Sequence, residues 1–436
     1  MKQKLLFIIF LGFLAIFAVS GLSCSNKPGE KKTLKLWVVD YSANNFKNAI
    51  DAFETQNNAS VEISEKKSTT LETDLLNALA LKQGPDVVMI DSDFLAKYKD
   101  IFAPCATAIS GEKITYCDPK IVKDNYVDAV YANVVFDNKV YAYPYKVSTP
   151  IVFYNTNIFN NFRFKQNSNI SQMPFWWDDF VTVSRALTKK DANGNITVSG
   201  LALGTSSNNS ISQDILYSIM MQNGTLVSST TPPPLALFHT PISTETGATV
   251  YPGIKALDFY TSFSNPKSQN YSFNNSFEQP WQAFAKGKAA MIIDYPERLD
   301  AIRNLNQNLQ IEGSLFPQIK NTDNPIVYGK TFGFGIIENS SNHILAWDFA
   351  RNLVPYLNDE YILRSTSGKD WKQSYGTTDT WQTQTQFAKT VHKDKYPNEF
   401  DKAVNRAINL VSRNQATSRT AIEQAAQSIN DLLVNK

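Results

Sequence analysis

Residues 137–159, Asp-Asn-Lys-Val-Tyr-Ala-Tyr-Pro-Tyr-Lys-Val-Ser-Thr-Pro-Ile-Val-Phe-Tyr-Asn-Thr-Asn-Ile-Phe, constrain the fold more than any other stretch of this chain. Asp137-Asn138 is a turn signal, and Val140, Tyr141 and Tyr143 are strand formers. Pro144 removes a donor from any strand ladder, and the unbroken run Ile151-Val152-Phe153-Tyr154 suits a strand buried on both faces. The pattern predicts two strands joined by a proline-marked crossover, the look of a hinge. An ordinary hairpin is the alternative.

Elsewhere strand-like and helix-like patterns alternate without a solenoid repeat. Leu71, Leu75, Ala78 and Leu79 keep helical spacing, Pro85 breaks the helix, and residues 87–90 form a short apolar strand. Phe180, Val183 and Leu187 mark another helix face, and Asp191-Ala-Asn-Gly-Asn195 is a turn before a strand at 197–202. The Ser-, Thr- and Pro-rich segments 228–234 and 240–249 read as loops. From 400 to 433 the pattern is helical, with Ala403, Ile408, Ile422, Ala426, Ile429 and Leu433 as buried contacts. A chain of 436 residues with 43% hydrophobic content supplies the cores of two or three domains.

Residues 1–23 read as an export signal. Lys2 and Lys4 form a positive start, residues 5–19 are an apolar run, and Ser20, Gly21 and Ser23 close it. A retained membrane anchor is the alternative, because the apolar stretch approaches the minimum spanning length of about 18–20 residues. Cys24 after Ser23 resembles the lipidated cysteine of bacterial lipoproteins, although Gly21 and Leu22 stand where such boxes usually carry Leu, Val or Ile and then a small residue. Residues 24–32 would then be a polar, flexible tether.

Without residues 1–23 the chain carries 40 basic and 40 acidic side chains. That balance, with no basic stripe, argues against nucleic acid as a partner. In an exported protein the remaining pair, Cys105 and Cys117, points to a disulfide, two free buried thiols being the alternative. His239, His343 and His392 are isolated and show no ligand spacing to the cysteines, so no metal or other cofactor is expected.

Enzyme signatures fail on inspection. Tyr328-Gly329-Lys330-Thr331 ends like a phosphate-binding loop, but Asn324 stands where the first glycine belongs. Gly333-Phe334-Gly335 lacks the third glycine of a dinucleotide fingerprint, and in 191–195 the glycine falls at the wrong position for a calcium loop. Carboxylates are too numerous for the sequence to exclude a glycosidase pair, but no motif anchors one.

The 137–159 segment resembles the first interlobe crossing of extracellular solute-binding proteins of the maltose-binding type, in which a Tyr-Pro pair precedes a strand ending in Tyr-Asn before a short helix. Further marks follow in that family's order. Residues 33–39 resemble its first strand and 46–53 the next helix; Leu79-Ala80 leads to a turn and strand at 84–90; Trp176-Trp177-Asp178-Asp179-Phe180 resembles a helix start. Residues 284–291 resemble the helix-glycine-strand signature, and 329–337 with Ala346-Trp347-Asp348-Phe349 the strand and helix that return to the first lobe.

The resemblance covers roughly 33–360 and implies an α/β, two-lobed periplasmic-binding-protein-like fold of type II, with discontinuous lobes and three hinge crossings near 145–150, 321–328 and 366–371. Lobe one would be 33–147 with 328–366, and lobe two 148–327 with 367–436. Ligand would bind between the lobes, near strand carboxyl ends, and closure would be the functional motion.

Candidate contacts follow by position in that frame. Asp40 and Tyr41 end the first strand, while Trp37 reads equally as core. Asp91 and Asp93 follow the strand at 87–90, where family members place acidic contacts to sugar hydroxyls; capping the next helix is their competing role. Tyr145 and Ser148 lie at the hinge, where maltose-type members carry a glutamate. Asn208 and Asn209 offer amides that donate and accept. Asp294 and Tyr295 follow the strand after Gly287, where maltose-type members place a Trp platform. Trp371 is a further aromatic candidate, with Trp381 behind it.

The resemblance therefore implies a non-enzymatic, monomeric binding protein, exported and held at the outer face of the cytoplasmic membrane by a lipid anchor. It would capture a carbohydrate, an oligosaccharide, and pass it to the permease subunits of an ABC transporter. A polyol phosphate would require basic residues in the cleft, and a polyamine would favour Asp40, Asp91, Asp93 and Asp294. From other classes, an anchored glycan-degrading enzyme or a transporter-independent sensor or adhesin remain alternatives.

Overall fold

The computed structural model describes residues 31–109, 112–166, 173–231, 233–320, 322–357 and 384–434. Residues 1–23, Cys24, the crossing expected at 366–371, Trp371 and Trp381 lie outside the described residues.

In chain order the strands of the two main sheets are β1 (Lys32–Val39), β2 (Ala59–Lys66), β3 (Val87–Asp91), β4 (Ala142–Ser148), β5 (Ile151–Asn155), β6 (Lys189–Lys190), β7 (Ile196–Leu201), β8 (Ala289–Asp294), β9 (Ile311–Ser314) and β10 (Lys330–Ile336). The first sheet has the order β2-β1-β3-β10-β4 and the second β6-β7-β8-β5-β9. Strand β1 runs parallel to β2 and β3, whereas β10 is antiparallel to both β3 and β4. The first sheet thus carries one antiparallel strand, β10, among parallel ones, whereas in the second β7 and β8 are parallel while β5 runs antiparallel to β8 and β9 and β6 antiparallel to β7. Together the two sheets make a two-lobed α/β fold.

The chain leaves the first sheet at Ser148 and enters the second at Ile151, so the crossover is Thr149-Pro150. Pro144, expected to mark it, lies inside β4. The ladder tolerates it because β4 is an edge strand and because the pairing slips by one residue at Phe332/Gly333, opposite the proline. The run 151–154 is buried throughout, with Ile151 and Phe153 in one hydrophobic cluster and Val152 and Tyr154 in another. That alternation is the period-two signature of a strand covered on both faces, each large side chain contributing about 1.5–3 kcal/mol of burial.

Helices α1 (Lys47–Asn57), α2 (Leu71–Ala80) and α3 (Ser92–Tyr98) belong to the first half of the chain. They are followed by α4 (Trp177–Leu187), α5 (Ser212–Gln222), α6 (Pro280–Ala285), α7 (Arg298–Leu305), α8 (His343–Leu353), α9 (Pro397–Ser412) and α10 (Ser418–Val434). Helix α8 returns to the first core, where Phe349 packs 4.8 Å from Phe53 of α1. Phe400, Ile408, Ile422 and Ile429 carry α9 and α10 into the second core. Trp177 anchors that core edge-on against Phe180, Phe259 and Phe316 at 5.1–5.8 Å. The stretch 240–249, expected as loop, contains a small ladder of Ile242–Ser243 on Thr249–Val250.

The return crossing is stitched by a third segment of chain. Val327–Tyr328 pairs in parallel with Ala388–Lys389, and a Cβ on Gly329 would meet that of Ala388 at 2.7 Å, so only glycine lets the two segments pass this closely. Gln384 Nε2 donates to Thr149 Oγ1 and to the Pro150 carbonyl, each at 2.9 Å, while its Oε1 accepts from Phe316 N at 2.6 Å. Cys105 and Cys117 form a disulfide with a Cα–Cα distance of 5.3 Å.

Candidate functional site

Strand ends from both sheets converge on a cleft of about 890 Å³, within the range of small-molecule sites. Its first wall grows from β1, β3, β4 and β10. After Val39 the backbone of Asp40 turns into the left-handed region at φ 56°, which Asp tolerates better than most side chains, and its carboxylate accepts from Ser68 N at 3.3 Å. Tyr41 stands edge-on to Phe46 at 6.1 Å. Asp91 ends β3 and caps α3, accepting from Phe94 N at 2.7 Å. Because side chains alternate along β10, Lys330 and Phe332 share the cleft face while Thr331 is buried behind them. Tyr145 packs on Phe332 and Phe334 with ring centroids 6.3 and 5.0 Å away.

The second wall comes from the end of β8 and the start of α7, with Ser210 and Ile211 from the loop before α5. Asp294 Oδ2 accepts from Arg298 Nε at 3.1 Å, and Ser148 Oγ reaches across to Glu297 Oε2 at 2.9 Å. Lys146 of β4 also pairs with Glu297. Glu297, which carries both contacts, belongs to the wall opposite Ser148.

Two lysines join the lobes, Lys330 from the cleft wall and Lys393 behind it. Lys330 Nζ is 3.3 Å from Asp214 Oδ2 of α5, and the same oxygen accepts from Tyr295 OH at 2.9 Å. Lys393 Nζ lies 2.9 Å from Asp401 of α9 and 3.3 Å from Asp93 of α3, between the rings of Tyr217 and Tyr328 at 5.3 and 5.4 Å. Burial opposes both charges, yet Asp214 and Asp93 raise Lys330, and Asp401 and Asp93 raise Lys393, above the ordinary lysine value. Burial likewise opposes ionisation of Asp93, but Lys393 and Lys330 hold it below the usual carboxylate range. Asp91 is pushed up by burial and by the neighbouring Asp93, and Asp294 is pushed up to about 6 by burial despite Arg298.

Of the residues singled out in the sequence, Asp40, Tyr41, Asp91, Tyr145, Ser148, Asp294 and Tyr295 are brought together on the cleft walls. Asp93 sits behind the wall on Lys393. Asn208 and Asn209 are used internally: Asn208 donates to the carbonyls of Asn274 and Phe277, and buried Asn209 accepts from Ile211 N. Trp37 is core, under Lys66 at 4.1 Å. Sequence reasoning missed Lys146, Glu297, Arg298 and Lys330. The period-two pattern of 330 and 332 could have indicated Lys330, but no local signal distinguishes the others from surface charges.

Residues 40–354 match the profile of the bacterial extracellular solute-binding proteins. The chain belongs to that family. It is an extracellular solute-binding protein, not an enzyme. Similar solved structures include a cyclo/maltodextrin-binding protein complexed with maltotetraose, with TM-score 0.68 and 14% identity over 93% of this chain and 98% of that one. An ABC substrate-binding protein from Listeria monocytogenes in complex with cycloalternan gives 0.65 and 16% over 93% and 100%. An ABC transporter solute-binding protein from Thermotoga lettingae bound with α-D-tagatose gives 0.61 and 18% over 92% and 100%. At this identity the likeness establishes a shared fold. No curated protein matches the chain by sequence.

Proposed function

We propose that this solute-binding protein captures a carbohydrate, an oligosaccharide, between its lobes and delivers it to the permease of an ABC transporter. The observation that carries the reading is the composition of the cleft: the aromatic rings of Tyr41, Phe94, Tyr145, Phe332 and Tyr295 stand among carboxylates and hydroxyls. Ring faces suit the C–H faces of sugars and carboxylates accept from their hydroxyls. Solved proteins of the same fold hold maltotetraose and cycloalternan.

In this reading Asp40, Tyr41, Asp91, Tyr145, Ser148, Asp294 and Tyr295 touch ligand, and Trp371 is a further contact. Asp93, Asn208 and Asn209 act from behind the walls. The lobes move as 33–147 with 328–366 against 148–327 with 367–436, bending at the crossings. The chain works as a monomer, anchored through a lipid on Cys24 once residues 1–23 are removed. Loss of labelled-lipid incorporation in Cys24→Ala tests the anchor.

The ligand is tested by thermal shift of the full chain against oligosaccharides, polyols, polyol phosphates and spermidine. A ligand at 100 times its dissociation constant stabilises the fold by about 2.7 kcal/mol. Selective response to one glycan class supports the reading. Response to spermidine or a phosphate ester with silence across all sugars would replace the ligand, and release of glycan products would replace binding by hydrolysis.

A further inference from the structure

The carbohydrate reading leaves the charge of the sugar open, and the cleft bears on it. Among the described residues five carboxylates, Asp40, Asp91, Asp294, Glu297 and Asp300, face three cations, Lys146, Arg298 and Lys330. Every one of these cations is already engaged. Lys146 pairs with Glu297; Lys330 pairs with Asp214 behind the wall; Arg298 bonds Asp294, and its guanidinium lies 5.4 Å from the Trp281 ring. Among the described residues Asp40 accepts from Ser68 N and is not ion-paired, Asp91 accepts from Phe94 N and is pushed toward its protonated form by burial and by Asp93, and Asp300 is exposed at the start of α7.

We infer, resting on the carbohydrate reading, that this cleft sorts sugars by charge: neutral and amino sugars are accepted, and sugars bearing carboxylate, sulfate or phosphate are rejected. An anionic sugar meets a wall with surplus negative charge. To reach a cation it must displace a carboxylate from its pair and leave that group without its counter-charge. An ammonium group instead finds Asp40 and Asp300, which hold no ion pair among the described residues, and the rings of Tyr41 and Phe94 nearby, where cation–π attraction adds to ion pairing.

The test is a glycan array carrying neutral, aminated and acidic glycans, probed with the purified full chain. Titrations then compare the best neutral binder with its amino and uronate analogues. The expected result is retention of neutral or aminated glycans and a uronate analogue weaker by at least about tenfold, equivalent to about 1.4 kcal/mol. The exposed positions allow Asp40→Asn with Asp300→Asn, which should narrow that gap by at least about threefold. An acidic glycan bound as tightly as its neutral counterpart overturns the inference and leaves the carbohydrate reading intact. Retention of no glycan at all removes that reading, and the inference with it.

Discussion

Lys330 Nζ lies 3.3 Å from Asp214 Oδ2, tying the first residue of β10 in one lobe to a fully buried carboxylate on α5 in the other. The pair is made at the return crossing, one residue beyond Gly329, and Tyr295 OH shares the carboxylate. In the proposed closure the lobes would bend around this ionic contact, which also holds a cleft tyrosine.

Removing one member of this pair leaves the other buried without its counter-charge. Lys330→Met and Asp214→Leu are each expected to cost about 3–5 kcal/mol, whereas the double variant should cost clearly less than the sum. Urea denaturation of the four species measures the cycle. Strict additivity would mean the two groups contribute independently.

Asp294 makes stability depend on pH. Burial raises its carboxyl from 3.8 to about 6, so between roughly pH 6 and 4 the native state holds a proton that the unfolded chain releases. Stability from this group therefore rises as pH falls through that window, and the penalty is fully present above it. A shift of about two units corresponds to about 3 kcal/mol, and the group is too buried for solvent screening to reduce it much. Asp294→Asn should flatten the stability profile between pH 4 and 7 without abolishing its slope, because Asp91 is shifted in the same direction. A profile unchanged by the substitution would show that Asp294 titrates normally.

The parts of the fold readable in the sequence are those encoded by local pattern. The run 151–154 shows burial on both faces in its composition, and Asp137-Asn138 adopts φ of 50° and 56°, as a tight hairpin turn requires. The chain passes between the sheets at Thr149-Pro150, inside the expected 145–150, but Pro144 does not mark the passage, because a proline interrupts a ladder only when its N–H is needed and edge position is a tertiary property. Lys393 is less readable still. It stands in the polar stretch Val391-His-Lys-Asp-Lys395, indistinguishable from surface charge, and its partner Asp93 is 300 residues away. Asn208 and Asn209 have the chemistry for hydroxyls, but the loop uses that chemistry to satisfy its own carbonyls and amides.

The Cys105–Cys117 bridge closes a short loop next to β4, where Cys105 N donates to the Val140 carbonyl at 2.7 Å. The double variant Cys105→Ser with Cys117→Ser should lose on the order of 3 kcal/mol by the chain-entropy estimate. Thermal melts with and without dithiothreitol provide the check. Reductant should lower the melting temperature of the parent chain and leave that of the double variant where it is.

In the proposed site, Tyr41 and Tyr295 offer a way to separate the ring from the hydroxyl in ligand recognition. Tyr41 is half-buried at the cleft and packs against the first core beside Phe46, so Tyr41→Ala should lower the unliganded melting temperature modestly while weakening the sugar by about three- to tenfold, the loss of one stacking face. Tyr295 differs because its hydroxyl is bound to Asp214 and its ring lies 5.8 Å from Lys330 Nζ. Tyr295→Phe keeps the ring and removes the bond that fixes it, so it should lower stability and weaken ligand less than Tyr295→Ala does. Calorimetric titration of the glycan identified by thermal shift, run on all three variants, orders them. If Tyr295→Phe weakens binding as much as Tyr295→Ala, the hydroxyl and not the ring face makes the contact.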